Sequence, residues 1–126
     1  MKRFMVVAAV AFSVVLVASP VFAKPGKRFD PASTSIRELT FSNLQDGYRI
    51  FREVCKSCHY RGNAQGAKFL HTESKSMRAW NRVFAQRYPK CAQSGDWKAL
   101  SKDDLLKLND YLFANAVDTV DVSCYL

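Results

Sequence analysis

Apolar residues recur at spacings of three and four in three stretches of the chain, as they do on the buried face of a helix. The stripes are Leu44, Tyr48, Phe51 and Cys55 in the first stretch, Met77, Trp80, Phe84 and Tyr88 in the second, and Leu105, Leu108, Leu112 and Ala116 in the third. No alternating run is long enough to demand a sheet. The pattern therefore predicts an all-α domain with three main helices.

Local signals set the expected ends of these helices. The first takes Ser42 or Asn43 as its N-cap. The second runs over about residues 76–87, because a proline follows it. The third begins after Ser101, which is followed by acids that suit the positive end of the helix dipole. Residues 89–100, between the last two helices, are predicted as loop.

The first residues have the pattern of a secretory signal. A short basic start precedes the apolar run 4–18, Pro20 breaks that run, and Ala23 ends a group of small and apolar residues. This order predicts a signal peptide over residues 1–23 that is cleaved on export to the periplasm. The alternative is an uncleaved membrane anchor, but a membrane span needs about 20 apolar residues and this run is shorter.

Composition divides the rest of the chain. Residues 24–40 mix prolines, a glycine and a Ser/Thr cluster with charges, which predicts a flexible leader. Residues 41–126 hold the three helical stretches and are predicted as one small domain. After cleavage we expect no stable insertion into a membrane.

The charge of the chain bears on its partners. The net charge is +8, and loss of Lys2 and Arg3 with the signal leaves 17 basic against 11 acidic residues, or +6. We expect no nucleic-acid partner, because the chain is predicted to be exported and its basic residues are dispersed along the sequence. A solvated surface explains the basic residues, and a basic rim that steers an acidic redox partner is the alternative.

The segment Cys55-Lys56-Ser57-Cys58-His59 is the C-x-x-C-H signature of covalent haem attachment. Each thiol adds to one vinyl group, and the short spacing lets both sulfurs reach neighbouring haem edges. The histidine beside the second cysteine then turns a ring nitrogen to the iron. We therefore expect one haem c, bound through Cys55 and Cys58, with His59 as the proximal iron ligand.

Two other uses of this motif are less well supported by the sequence. A thioredoxin-like dithiol follows a strand and opens a helix, whereas this motif ends a predicted helix. A zinc site needs a second pair of ligands at suitable spacing, and Cys91 and Cys124 do not form one.

The chain resembles the class I cytochromes c beyond this motif. That family carries a glycine eight residues before the first cysteine and an aromatic residue four before it, where this chain has Gly47 and Phe51. Its last helix carries a leucine, an aromatic residue three positions later and another apolar residue, as Leu108, Tyr111 and Leu112 do. The likeness covers about residues 41–116. It implies three helices wrapped around one haem, with Gly47 facing Tyr111 where the first and last helices cross.

The second axial ligand of the iron stays open, because the loop before the last helix lacks the methionine that is usual in the family. Met77 is the only methionine outside the signal segment and the first candidate, with core packing as its alternative use. The other candidates are His71, Cys91 and an iron that is five-coordinate or water-bound. Trp80 is a candidate for packing on the haem, with its indole N–H on a propionate, or for plain core packing.

Cys91 and Cys124 have a second use in an oxidising compartment, where unengaged cysteines pair. A disulfide between them would fasten the irregular tail, residues 117–126, to the loop before the last helix. In the chain-entropy description, closing a loop of about 34 residues stabilises a fold by roughly 3–4 kcal/mol. Free thiols, or Cys91 on the iron, are the alternatives.

The expected function is transfer of single electrons between periplasmic redox proteins, which makes the chain a carrier rather than an enzyme. The first alternative is a module that binds or senses a small gas, such as nitric oxide or carbon monoxide, at an open iron position. The second is a haem subunit of a redox enzyme. His71 alone offers a group for proton handling there, so this last reading has little support.

Overall fold

The computed structural model describes residues 25–119, a mostly helical unit with one small β-hairpin. Its elements are β1 (Lys27–Asp30), β2 (Ser35–Glu38), α1 (Phe41–Glu53), α2 (Met77–Gln86), α3 (Lys90–Ser94) and α4 (Lys102–Ala114), with 3₁₀ turns at Cys55–Ser57, Thr72–Ser74 and Val117–Thr119. The three long helices lie where the apolar stripes predict them. The hairpin corrects the all-α expectation. The predicted signal and residues 120–126 lie outside the described residues.

The N-cap of α1 lies earlier than predicted. The hydroxyl of Thr40 accepts a hydrogen bond from the N–H of Asn43 at 3.3 Å, and the carbonyl of Thr40 accepts from the N–H of Leu44 at 3.0 Å. Ser42 and Asn43 therefore already belong to the first turn, and the prediction that one of them is the cap is wrong.

The starts of α2 and α4 follow the sequence signals. The hydroxyl of Ser76 accepts from the N–H of Ala79 at 3.2 Å. The hydroxyl of Ser101 accepts from the N–H of Asp104 at 3.0 Å, while the Asp104 carboxylate accepts from the N–H of Ser101 at 2.9 Å. This reciprocal pair is a capping box, which satisfies two backbone donors at the helix start.

The short helix α3 corrects the prediction that residues 89–100 are loop throughout. The carbonyl of Pro89 accepts from the N–H groups of Ala92 and Gln93, at 3.0 and 3.2 Å. Gly95 ends the helix with φ 96°, a left-handed conformation that glycine adopts without steric cost. Five residues are too few to show an apolar stripe, so periodicity gave no sign of this helix.

Helices α1 and α4 cross at a glycine. Gly47 is buried, and a Cβ placed on it would lie 2.6 Å from Cβ of Tyr111 and would overlap the backbone carbonyl of Lys107. The expected contact of Gly47 with Tyr111 is therefore confirmed. The core that this crossing closes consists of Ile50, Phe51, Trp80, Val83, Leu108, Leu112 and Ala116. Among residues 25–119 no helix is long and apolar enough to cross a membrane.

The hairpin β1–β2 corrects the flexible leader predicted for residues 24–40. Its strands are antiparallel, with Arg28 opposite Arg37 and Phe29 opposite Ile36. The usual distribution is inverted, since Arg28 is buried while Phe29 and Ile36 are exposed. Charges that point inward are a poor sign of a strand, which explains why the sequence did not predict this one.

Ion pairs hold the hairpin to α4. The carboxylate of Asp110, fully buried on α4, accepts from Arg28 at 2.5 Å and from Arg37 at 2.7 Å. The Arg28 guanidinium also donates to the side chains of Asp30 and Asn81, each at 3.3 Å. A buried carboxylate without countercharges would strongly destabilise the fold, so residues 27–38 belong to the folded unit.

Candidate haem attachment site

The C-x-x-C-H motif lies in a tight turn at the end of α1. The helix ends at Glu53, and the carbonyl of Cys55 then accepts from the N–H groups of Cys58 and His59, at 3.3 and 2.9 Å. The hydroxyl of Ser57 donates to the carbonyl of Val54 at 2.6 Å and so fastens the turn to the helix end. The backbone therefore holds both cysteines and the histidine within one compact turn.

A backbone carbonyl orients the imidazole of His59. Nδ1 of His59 lies 2.7 Å from the carbonyl oxygen of Lys68. A carbonyl only accepts, so Nδ1 donates, and in a neutral imidazole Nε2 then has a free lone pair. This is the arrangement in which a histidine is ready to bind a metal, because the hydrogen bond sets both the tautomer and the ring orientation.

Lys56, inside the motif, fixes the segment that carries this carbonyl. Its ammonium group donates to the carbonyl of Leu70 at 2.9 Å and to that of His59 at 3.3 Å. The N–H of Leu70 donates to the carbonyl of His59 at 3.2 Å. These bonds join Leu70, at the end of the loop 60–70, to Lys56 and His59 of the motif. The segment that carries the Lys68 carbonyl is therefore held by more than one contact.

The loop between the motif and Lys68 is closed by Asn63. Its amide group donates to the carbonyl of Ala67 at 2.6 Å, and its side-chain oxygen accepts from the N–H of Ala67 at 2.9 Å. Gly62 and Gly66 adopt positive φ values of 73° and 68° on either side. The Gly-marked loop is therefore ordered by its own hydrogen bonds before it reaches His59.

The two thiols of the motif are free, and the Cys58 thiol is exposed. Burial raises the pKa of the Cys55 thiol to about 12, and the neighbouring Cys91 adds to the rise. Dithiols that exchange disulfides depend on a thiolate whose pKa is lowered, so this shift has the wrong sign for such chemistry. The motif also follows a helix rather than a strand, which is a second difference from a thioredoxin-like site.

A zinc or other metal cluster of side chains is not formed here either. In the part of the chain that the structure describes, no three His, Cys, Asp or Glu side chains converge as a metal site. The donor set at the motif is one imidazole nitrogen and two thiols in a single turn. That set would suit a haem, which contains its own iron and can form two covalent bonds to cysteines.

Apolar side chains that a haem would cover lie around the same core. Cys55 packs against the core together with the half-buried Leu70, Phe84, Trp97 and Leu100. Phe84 and Trp97 stack with their ring centroids 5.3 Å apart. Large, partly exposed apolar groups on the core against which Cys55 also packs suit a flat apolar ligand, so the residues present fit a covalent haem.

Trp80 has a core position. It is 2% exposed, and its indole N–H donates to the carbonyl of Thr72 at 2.7 Å. The N–H is therefore satisfied by backbone, which leaves no need for a propionate as its acceptor. Of the two uses predicted for Trp80, this geometry matches core packing.

Met77 lies at the first position of α2 and faces a groove. Its N–H donates to the carboxylate of Asp118 at 2.8 Å, and its side chain lines the groove together with Phe29 and Phe113. None of the attachment residues lines that groove. This placement gives no support to Met77 as the second iron ligand.

His71 belongs to the segment that holds His59. Its ring stacks on that of Phe69, with the two ring centroids 6.4 Å apart. Phe69 directly follows Lys68, whose carbonyl accepts from His59. Because Nδ1 of His59 faces this segment, Nε2 on the other side of the ring points away from it. A second axial ligand has to approach from the far side of the iron, so His71 is poorly placed for that role.

Cys91 lies on α3, half-buried and close enough to Cys55 to affect the pKa of that thiol. Its predicted disulfide partner, Cys124, lies outside the described residues, so the pairing stays a prediction. Cys91 thus remains a candidate both for the disulfide and for the iron.

Sequence reasoning missed the groups that position His59. The Lys68 acceptor is a backbone oxygen, which leaves no mark in residue type. Lys56 stands at a variable position of the motif and looks like an ordinary surface cation. The one sequence signal in this segment is the pair Gly62 and Gly66, because closely spaced glycines are typical of an irregular loop.

Comparison with known protein families, with curated proteins and with solved structures finds no match to this chain.

Proposed function

We propose that this chain is a small c-type cytochrome whose haem is bound covalently by Cys55 and Cys58 and ligated by His59. The observation that carries the proposal is the 2.7 Å contact between Nδ1 of His59 and the Lys68 carbonyl, in the turn that also presents two free thiols. A hydrogen bond at Nδ1 leaves Nε2 as the nitrogen that would ligate the iron. The two thiols beside it would form the two thioether bonds to the vinyl groups of the haem.

The chain's own residues have distinct tasks in this proposal. The two thiols keep the group attached, which matters for a protein exported into dilute surroundings. The Lys68 carbonyl accepts from Nδ1 of His59 and sets the orientation of its ring, and Lys56 holds the same segment through the Leu70 carbonyl. Phe84 and Trp97, which pack on the same core as Cys55, would offer an apolar surface to the haem.

Haem held in this way supplies reversible transfer of a single electron. The resulting function is an electron carrier of the periplasm that acts between redox proteins, with export directed by residues 1–23. The surface beside the motif is basic and aromatic, since Lys56 and Arg61 lie 4.1 and 4.8 Å from the ring centroid of Phe69. A partner with an acidic surface around its own redox centre fits this charge.

A second candidate function is the binding of a small gas. It is favoured by one observation, the placement of Met77 in a groove that the attachment residues do not line. With His71 on the segment that accepts from His59, and with Cys91 paired with Cys124 as predicted, none of the candidate side chains would close the far side of the iron. An open position there would admit carbon monoxide or nitric oxide.

Optical spectra of the oxidised and reduced protein, with and without carbon monoxide, test the function. A carrier with a closed iron site gives a low-spin reduced spectrum that carbon monoxide leaves unchanged. A gas-binding module gives a spectrum that shifts at once on addition of the gas. His59→Ala should lose the native spectrum, while the matched variant His71→Ala should keep it. Loss of the spectrum in His71→Ala alone would contradict the assignment of the proximal ligand.

A further inference from the structure

The outward face of the β1–β2 hairpin is apolar. Phe29 and Ile36 lie opposite each other in the antiparallel register, so their side chains share one face, with Cβ atoms about 5 Å apart. Phe29 is 50% exposed and Ile36 is 63% exposed, whereas Arg28, on the opposite face, is 2% exposed. The hairpin thus buries a charged side chain and leaves two large apolar side chains in contact with solvent.

A groove extends this apolar face towards α2. It measures about 500 Å³, and its apolar lining residues are Phe29, Pro31, Met77, Ala85 and Phe113. The carbonyl of Phe29 accepts from the side-chain amide of Asn81 at 2.8 Å, which places β1 beside α2 and leaves β2 as the outer strand. The hairpin face and the groove together form one exposed apolar surface, and contiguous surfaces of this kind mark interaction sites.

The groove has cations on its rim. Arg78 and Arg82 belong to its lining and are exposed. Among the ion pairs between described residues, none involves either arginine. The carboxylate of Asp118 also lines the groove, but it accepts from the N–H of Met77 at 2.8 Å. The groove therefore suits an occupant that offers an apolar side chain together with a carboxylate.

The outer strand β2 carries this combination. Residues two apart in a strand share a face, so Ile36 and Glu38 both point outward. The carboxylate of Glu38 lies 3.3 Å from the ammonium group of Lys27, and both side chains are exposed, so this pair contributes little and is readily exchanged for another. Neither Ile36 nor Glu38 lines the groove of its own chain, because β1 lies between β2 and α2. Both are available to the groove of a second copy.

We propose that two copies of this chain associate about a two-fold axis, with Ile36 of each protomer in the groove of its partner and Glu38 beside Arg82 at the rim. A two-fold contact uses the same surface on both protomers, and this surface holds both the strand and the groove that receives it. Aromatic residues, methionine and arginine line the groove, and these residue types are enriched in interfaces between proteins.

The contact leaves the attachment turn unused, since none of the attachment residues lines the groove. The proposal goes beyond electron transfer and does not depend on the haem, because it rests on the surface of the folded chain. If the haem is present, each protomer carries its own attachment turn into the dimer.

Sedimentation equilibrium on the full mature chain tests the association. Contact through one strand and one groove is modest, so we expect a dissociation constant of about 1–100 µM and a mass that doubles across this range. Ile36→Lys brings another cation to the rim of the partner's groove and should weaken the association about tenfold or more. Ile36 is exposed, so this variant should fold as the wild type does. The matched variant Tyr60→Lys changes an exposed aromatic residue after the attachment motif and should associate like the wild type.

Charge exchange tests the register of the two protomers. Glu38→Arg and Arg82→Glu should each weaken the association severalfold, since the contact would then join like charges. An equimolar mixture of the two variants should associate again, because each contact in a mixed dimer joins opposite charges. Far-UV circular dichroism ensures that only folded variants are compared.

The proposal is overturned by a wild type that stays monomeric over the whole concentration range. It is also overturned if Ile36→Lys associates as the wild type does, or if Tyr60→Lys loses the association. A mixture of Glu38→Arg and Arg82→Glu that stays monomeric would overturn the pairing of Glu38 with Arg82.

Discussion

Gly47 of α1 lies so close to Tyr111 of α4 that a methyl group on the glycine would sit 2.6 Å from Cβ of the tyrosine. The helix backbones approach at this point because one partner has no side chain. Glycine costs about 1 kcal/mol relative to alanine within a helix. At an exposed site, replacing this glycine by alanine would stabilise the protein. At the close crossing of α1 and α4 the same replacement is expected to destabilise it.

Replacement of Gly47 should destabilise the protein. We expect Gly47→Ala to lower the free energy of unfolding by about 1–3 kcal/mol and Gly47→Val by roughly 2–4 kcal/mol, as overpacking does elsewhere. Gly26→Ala is the matched control, because a Cβ at Gly26 meets no atom within 4 Å. Urea denaturation measures all three. Stabilisation by both Gly47 substitutions would show that the helices do not approach closely there.

Loss of the Asp110 charge should be far more costly than loss of a surface carboxylate. Asp110→Asn leaves Arg28 buried without its main countercharge, and we expect a loss of about 3–5 kcal/mol. Asp46→Asn removes the solvent-screened pair with Lys107 and should lower the urea midpoint far less than Asp110→Asn does. Similar urea midpoints for the two variants would mean that the hairpin is not held by the buried pair.

The acid sensitivity of the fold should depend on Asp30. Burial raises the pKa of its carboxyl, but hydrogen bonds from Ser33 and the charge of Arg28 together outweigh burial, so the net pKa lies below the ordinary value of 3.8. A carboxyl with a lowered folded pKa stabilises the fold above its unfolded pKa, and this contribution is lost as the pH falls through the folded pKa. Asp30 therefore contributes fully above about pH 4, and its contribution declines in stronger acid until the pH is below the folded pKa.

Urea midpoints measured from about pH 6 down to about pH 2 test this dependence. Asp30→Asn should be less stable than wild type at the upper end and should lose less stability on acidification. Asp96→Asn, at an exposed carboxylate, should follow the wild-type curve. If the urea midpoints of Asp30→Asn also follow the wild-type curve, Asp30 does not contribute to the loss of stability in acid.

The side chain of Met77 should matter for stability and not for the iron. Met77→Ala should cost about 2–5 kcal/mol at most, since the residue is only partly buried against the core. The near-infrared band of a sulfur-ligated iron should be absent from both wild type and variant, and carbon monoxide should bind both at the same rate. A band that is present in wild type and lost in Met77→Ala would identify Met77 as the second ligand.

The sequence allowed the helical part of the fold to be predicted, because the buried faces of α1, α2 and α4 repeat at helical spacing. It also indicated the Gly47–Tyr111 contact through the resemblance to class I cytochromes c. The hairpin was not predictable, because its buried side chain is Arg28 and its partner, Asp110, looks like a solvent-facing acid of α4. Charges that satisfy one another inside a protein carry no periodic signal.

The candidate site also has a part that the sequence indicated and a part that it did not. Cys55, Cys58 and His59 are candidates from their spacing alone, since haem attachment requires those residue types in that order. The groups that orient His59 are a backbone carbonyl and a lysine amine, which sequence does not distinguish from any others. The surroundings of Met77 were also beyond prediction, because the groove is formed partly by a hairpin whose existence the sequence did not indicate.

The mass of the mature protein tests the central claim most directly, after production in a host that matures c-type cytochromes. We predict the mass of the chain from Lys24 plus one haem, retained after denaturation and acid extraction. Cys55→Ala/Cys58→Ala should lose the added mass, while Cys91→Ala should keep it. A wild-type chain without added mass under these conditions, or a double variant that still holds haem covalently, would contradict the account.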